Sequence, residues 1–180
     1  MADLTVEDGT NIPGANSYVS IEEADEYLTI RPNYSSWEDV EDQDFYLIWA
    51  TQLLDQRAKF SGVKTFNDSA LRWPRVGACD RDGLPVGGGE IPEGLRQATI
   101  EIAYYLSLNA TKDPSLPDSS NASGIKRIKA DVVEIEYQDN SLLATGQNYF
   151  PLGLNYLLKG LGTLPGATKG GYGAGRIKRA

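Results

Sequence analysis

The sequence predicts a mainly α protein: a small helical bundle with a β-strand or hairpin arm and extended termini. Three observations carry this. Apolar residues recur at three- and four-residue spacing over residues 45–60 and again over 95–106, as on one face of a helix. The period drops to two over residues 133–137, where Val133, Ile135 and Tyr137 alternate with Glu134 and Glu136, as in a strand. Nineteen glycines and nine prolines in 180 residues leave room for long connections, while a hydrophobic fraction of 41% still supplies a core. At this length one domain with extensions is the economical reading.

Residues 1–19 read as an N-terminal arm, and 20–110 as the helical bundle with a long loop at 61–91. Residues 111–162 then read as linker, β segment and C-terminal helix, and 163–180 as a flexible basic tail. The first helix begins after Ser20, where Ser20 and Glu23 have capping-box spacing and Ile21, Ala24 and Leu28 share a face; it ends near Pro32. Ser35 and Ser36 open a further helical turn containing Trp37. In the helix over 45–60, Phe45, Trp49, Leu53 and Phe60 form the inner stripe, widened by Ile48 and Ala50. Trp49 is expected as a core anchor rather than a partner anchor, because burying such a ring is worth about 2–3 kcal/mol.

Residues 71–92 form a long, shaped loop. Trp73 before Pro74 favours extended backbone, and Trp73, Pro74 and Gly83 are the candidate loop-shaping residues. Arg72, Arg75 and Arg81 are expected to meet this protein's own carboxylates, or a neighbouring subunit, in preference to DNA phosphate. Asp80-Arg81-Asp82-Gly83 has the look of a calcium loop, but Ile91 stands where the twelfth position needs Glu, so it reads as a turn with Gly83 at positive φ. Gly87-Gly88-Gly89 lacks the lysine and hydroxyl of a phosphate-binding loop and reads as a flexible spacer. Pro92 opens the next helix with Glu93 in its first turn, and Leu95, Thr99, Ile102 and Leu106 face the bundle. After a polar linker at 112–124 comes the strand, which needs a hairpin return, the N-terminal segment or a neighbouring copy to pair with. Pro151 starts a short helix carrying Leu154, Leu157 and Leu158, ended by Gly160 or Gly162.

Conventional chemistry is sparse. There is no histidine, and Cys79 has neither a disulfide partner nor a general base. No catalytic, cofactor-binding or metal-ligating residue is assigned; Asp80, Asp82 and Glu90 read as turn formers and surface charge. The apolar runs are too short to span a bilayer, and the opening residues lack the pattern of a secretory leader. Charge is unevenly placed. Through residue 60 there are thirteen acids and three bases, whereas residues 141–180 carry five bases and no acid. The net charge of −8 argues against a generally DNA-attracting surface without excluding a local basic contact, and the two poles suit association between copies.

Five segments together carry a resemblance: SYVSIEEADEYL at 17–28, ATQLLD at 50–55, ALRWPRVGACDRDG at 70–83, EIPEGLRQATIEIAYYL at 90–106 and IKRIKADVVEIEY at 125–137. They resemble a tailed-phage family of head-tail connector, or head-completion, proteins, some members of which are labelled DnaT-like single-stranded DNA-binding proteins. The likeness covers about residues 14–160; the glycine-rich basic ending departs from it. It implies a connector-like bundle with no enzymatic turnover and no cofactor. Twelve copies would form a ring beneath the phage portal protein, extending the channel through which genomic DNA passes and docking tail or stopper proteins. The location implied is the virion neck, with the host cytoplasm during assembly and no membrane. On that reading Leu154, Leu157, Arg176, Lys178 and Arg179 are candidate contacts to the portal or a neighbouring copy. The alternative is direct binding of single-stranded DNA, with Tyr149, Phe150, Tyr156 and Tyr172 stacking on bases and the tail cations meeting phosphates.

Overall fold

The computed structural model describes residues 3–108, 127–130, 133–136 and 153–164. The opening segment has almost no regular structure beyond a bridge between Val6 and Ser17, yet it is woven into the body: Tyr18 and Val19 are fully buried, and so is Glu7. A buried carboxylate is costly unless its oxygens are satisfied. Glu7 Oε1 accepts the Gly9 and Asn11 amides, each at 2.9 Å, and Oε2 accepts that of Ile12 at 3.1 Å. The loop therefore folds around its own acid.

Helix α1 (Ile21–Leu28) starts as its cap requires, with Ser20 Oγ accepting the Glu23 amide at 3.2 Å and Ala24 and Leu28 turned inward. The Glu23 carboxylate does not return to the cap; it pairs with Arg96 at 2.7 Å. Helix α2 (Ser35–Glu38) is a single turn that buries Trp37, whose indole N–H donates to Asp25 at 2.8 Å.

Helix α3 (Gln43–Arg57) turns a different face inward from the one expected. Leu47, Ala50, Thr51, Leu53 and Leu54 are buried, whereas Phe45 is 48% exposed and Trp49 is only half-buried. The aromatic side chains also pack on one another, Phe45 lying 5.4 Å edge-on from Tyr46 and 5.6 Å from Trp49, while Tyr46 and Trp49 stay partly buried against the core. The smaller side chains on the other face admit a neighbouring helix, and Thr51 returns its hydroxyl to the Leu47 carbonyl at 2.9 Å. The helix ends at Arg57, so Phe60 belongs to the strand that follows.

Three two-residue strands stiffen the connection: β1 (Lys59–Phe60), β2 (Val63–Lys64) and β3 (Arg75–Val76). Strands β2 and β3 pair antiparallel, Val63 opposite Val76 and Lys64 opposite Arg75. Between them Trp73 is fully buried and joined to Pro74 by a cis peptide bond. Asp80 Oδ1 accepts the Asp82 and Leu84 amides at 2.9 and 2.8 Å, and Gly83 sits at φ +89°. The glycine run is a docked strap rather than a free spacer. Gly88 carbonyl accepts the Thr65 hydroxyl, and a Cβ on Gly9 would collide with the Gly89 carbonyl.

Helix α4 (Glu93–Leu108) buries Leu95, Thr99, Ile102 and Leu106 in the expected register, with Ala98 and Ala103 between them, and packs along α3. Strands β4 (Arg127–Ala130) and β5 (Val133–Glu136) form an antiparallel hairpin, Arg127 opposite Glu136 and Ala130 opposite Val133, which is the hairpin form of the expected β arm. Tyr137 lies outside the described residues. Helix α5 (Leu154–Leu157) lies on α4 at Gly94, where any Cβ would meet the Leu157 carbonyl. Strand β6 (Gly162–Thr163) closes the body against β1, Lys59 opposite Thr163. The molecule is thus mainly helical, with small antiparallel β arms. Leu154 is 1% exposed and Leu157 is partly buried against the same core, so neither is a free docking contact: one turn of leucines is spent covering α4. Among the described residues, no helix is long and apolar enough to cross a membrane.

Candidate nucleic-acid interface

Residues 57–81 hold six cations, Arg57, Lys59, Lys64, Arg72, Arg75 and Arg81, against two acids, Asp68 and Asp80, in a chain whose net charge is −8. Helix α3 leads into this segment from an acid-rich beginning: Asp42 and Asp44 stand at its start and Arg57 in its last turn. That order complements the helix dipole at both ends.

The cations differ in what they do. Arg75 is committed to the fold: its Nε donates to the Ser61 carbonyl at 2.7 Å, Nη2 to Gly62 at 2.7 Å and Nη1 to Arg72 at 3.2 Å. Its guanidinium also lies 6.0 Å from the centre of the Phe60 ring, and Phe60 meets Trp73 edge-on at 5.9 Å. Burial, followed by the nearby Arg72 charge, lowers the Arg75 pKa from its ordinary value. Lys64 ties down the Ser69 carbonyl at 2.8 Å. Lys59, Arg72, Arg81 and Lys159 are exposed, and no hydrogen bond or ion pair among the described residues holds their charged groups. Val63 and Val76, an apolar cross-strand pair, stand out at 67% and 49% exposure, with Lys59 four residues before Val63 in the chain and Arg72 four before Val76. The C-terminal segment joins this edge through β6, and Gly160 presses on the Cys79 and Asp80 carbonyls, which sets Lys159 beside the turn bearing Arg81.

Beneath the edge lies a buried polar knot. Tyr18 donates its hydroxyl proton to Asp55 Oδ1 at 2.6 Å and accepts the Arg72 and Trp73 amides at 3.2 and 3.3 Å, while Asp55 Oδ2 also accepts the Arg72 amide at 3.0 Å. Burial pushes the Tyr18 hydroxyl well above the ordinary tyrosine value, and the Asp55 charge adds to the rise. Burial likewise raises Asp55, against the pull of the Tyr18 and Arg72 hydrogen bonds.

Of the residues singled out from the sequence, Trp73 and Pro74 are buried under this edge and Gly83 lies in an exposed turn beyond it. Of the four candidate stacking aromatics, Tyr156 stands out at 71% exposure, while Tyr149, Phe150 and Tyr172 fall outside the described residues, as do Arg176, Lys178 and Arg179. Lys59, Lys64, Val63, Val76 and the Tyr18–Asp55 pair were not anticipated as site residues. The density of cations between 57 and 81 was the available signal for the first two. The cleft between α1 and α4 is lined by Glu23, Glu26 and Glu93 and is electrostatically wrong for a polyanion.

The family model described as "Putative DnaT-like ssDNA binding protein" matches residues 2–180. The chain belongs to this family. No curated protein and no solved structure matches it. Membership overturns the head-to-tail adaptor reading and its twelve-copy ring, and lends no support to the portal and tail partners or the virion neck. The description borne by the family is that of a DNA-binding protein, the reading previously held as the alternative. The physical grounds agree, since Leu154 and Leu157, assigned there to docking, are spent on the core. The DnaT-like family is one of binding proteins rather than enzymes. Among the described residues, no group of three or more Cys, Asp or Glu side chains is arranged to hold a metal ion.

Proposed function

We propose that this protein binds single-stranded DNA along the cationic edge built by β1, β2 and β3. The observation that carries the reading is the set of exposed cations, Lys59, Arg72, Arg81 and Lys159, together with the exposed Val63–Val76 pair on β2 and β3. Cations alone would hold any phosphate backbone. Exposed apolar groups favour a strand whose bases are unstacked and able to lie on the protein. Tyr156 adds a ring on the neighbouring segment, and the tail supplies Lys169, Arg176, Lys178 and Arg179. The acid-lined cleft between α1 and α4 repels DNA.

Fluorescence anisotropy with a labelled oligothymidine across a salt series tests this. The expected result is binding whose logarithm falls linearly with the logarithm of salt, with a slope of about 0.7 for each phosphate contacted. The Lys59→Ala, Arg72→Ala double variant should bind more weakly and lose about two contacts' worth of slope. No binding at low salt, or binding insensitive to salt, would overturn the proposal.

A further inference from the structure

We infer that Tyr18 and Asp55 are positioning residues for the DNA-binding edge, holding Arg72 in the orientation in which it meets phosphate. The inference rests on the single-stranded DNA reading and deepens it.

The geometry is directional. Arg72 is the one residue whose amide is gripped by both members of the pair, at 3.2 Å by the Tyr18 hydroxyl and 3.0 Å by Asp55 Oδ2. Its neighbour Trp73 is fully buried and its amide is held by the same hydroxyl. The Arg72 carbonyl is taken as well, by Arg75 Nη1 at 3.2 Å. Both backbone polar groups of Arg72 are therefore fixed from inside the protein, while its exposed side chain makes no hydrogen bond or ion pair among the described residues and feels the longer-range attraction of Asp55. A side chain on a fixed backbone loses less freedom on binding than one on a loose loop, so the cation is preorganised for its ligand.

The pair itself is not available to DNA. Tyr18 is 1% exposed, and Asp55 carries the wrong charge to meet a phosphate. The two residues come from different parts of the chain, the opening segment and the last turns of α3, and converge under one loop. Tyr18 to Trp73 spans 55 positions in sequence. Core packing alone would be served by phenylalanine at 18 and by a neutral residue at 55. The hydroxyl and carboxylate are explained by the two amides they take.

The test is a thermodynamic cycle on the full chain, read by oligothymidine anisotropy across salt. Tyr18→Phe keeps the ring and removes the hydroxyl. It should weaken binding by about threefold to tenfold and lower the salt slope by about 0.7, one phosphate's worth. Arg72→Ala should do the same, and the double variant should fall no further, since both remove one interaction. Asp55→Asn, which keeps an acceptor at Oδ1, gives a second arm if Tyr18→Phe lowers the folded fraction, and should show a smaller loss of slope. An unchanged slope in folded Tyr18→Phe, or fully additive losses in the double variant, would overturn the inference while leaving the DNA-binding proposal intact. Failure of the unaltered protein to bind would remove both.

Discussion

Asp55 is the residue whose titration is most informative. It is held by the Tyr18 hydroxyl and the Arg72 amide and sits near the Arg72 and Lys64 charges, yet burial dominates and raises its pKa above the ordinary carboxylate value. The sign follows from linkage. The folded chain binds the Asp55 proton more tightly than the unfolded chain, so this residue contributes stability at pH values below its folded pKa, and that contribution is lost as pH rises through it. Asp8 and Glu22 are exposed and have lowered values, so they act in the opposite sense and have to be subtracted. Comparison with Asp55→Asn performs that subtraction. As pH falls from neutrality through the raised value, the unaltered protein should gain stability relative to Asp55→Asn, read as a rising difference in urea midpoint. A difference that shrinks with falling pH would mean that the hydrogen bonds to the carboxylate outweigh its desolvation.

At the scale of the element, α3 separates two apolar faces that sequence periodicity alone does not rank. Phe45, Trp49 and Leu53 make one helical stripe, and Leu47, Ala50 and Leu54 make another. Phe45 and Trp49 look the better core, but α4 buries the small residues Ala98, Thr99 and Ala103 and packs along α3. Close approach of the two helices suits Leu47, Ala50 and Leu54, with Leu53 the one member of the first stripe that is buried. That choice depends on residues about fifty positions away and has no local signature. Helix α4 was legible because it offers a single strong apolar face, and the cap of α1 because Ser20 and the Glu23 amide are three residues apart. Strands β1, β2 and β3 were not, since two residues carry no period. Truncation distinguishes the faces. Leu54→Ala, at a fully buried position, should cost about 2–5 kcal/mol by urea unfolding. Phe45→Ala should cost about 1 kcal/mol or less, because half of the ring is already in water and the rest lies mainly on Tyr46 and Trp49. Equal costs would restore the aromatic stripe as the inner face.

Over the whole molecule, the arrangement of charge matters more than its sum. A net charge of −8 discourages a DNA-binding reading only if the acids are spread evenly, and they are not. Acids crowd α1 and the stretch 38–44 that leads into α3, and the cations gather where α3 ends and β1 to β3 turn. The density of cations over residues 57–81 was visible in the sequence, but Arg72, Arg75 and Arg81 were read there as meeting the protein's own carboxylates or a neighbouring subunit. The knot beneath this edge did not show, because Tyr18, Asp55 and Arg72 meet only once the chain is folded. The tail extends the same logic. The last described residue, Leu164, is buried one position beyond Thr163, which pairs with Lys59, so the described chain ends beside β1. Residues 165–180 carry four cations and no acid. Removing 165–180 takes no described side chain from the core, so the unfolding midpoint should stay where it is. On the DNA-binding reading, affinity for oligothymidine should fall, and the salt slope should drop by up to about 3, some 0.7 for each of the four lost charges. A deletion that leaves both affinity and slope unchanged would confine binding to the edge of β1 to β3. One that abolishes binding altogether would make the tail the principal ligand and the edge only its anchorage.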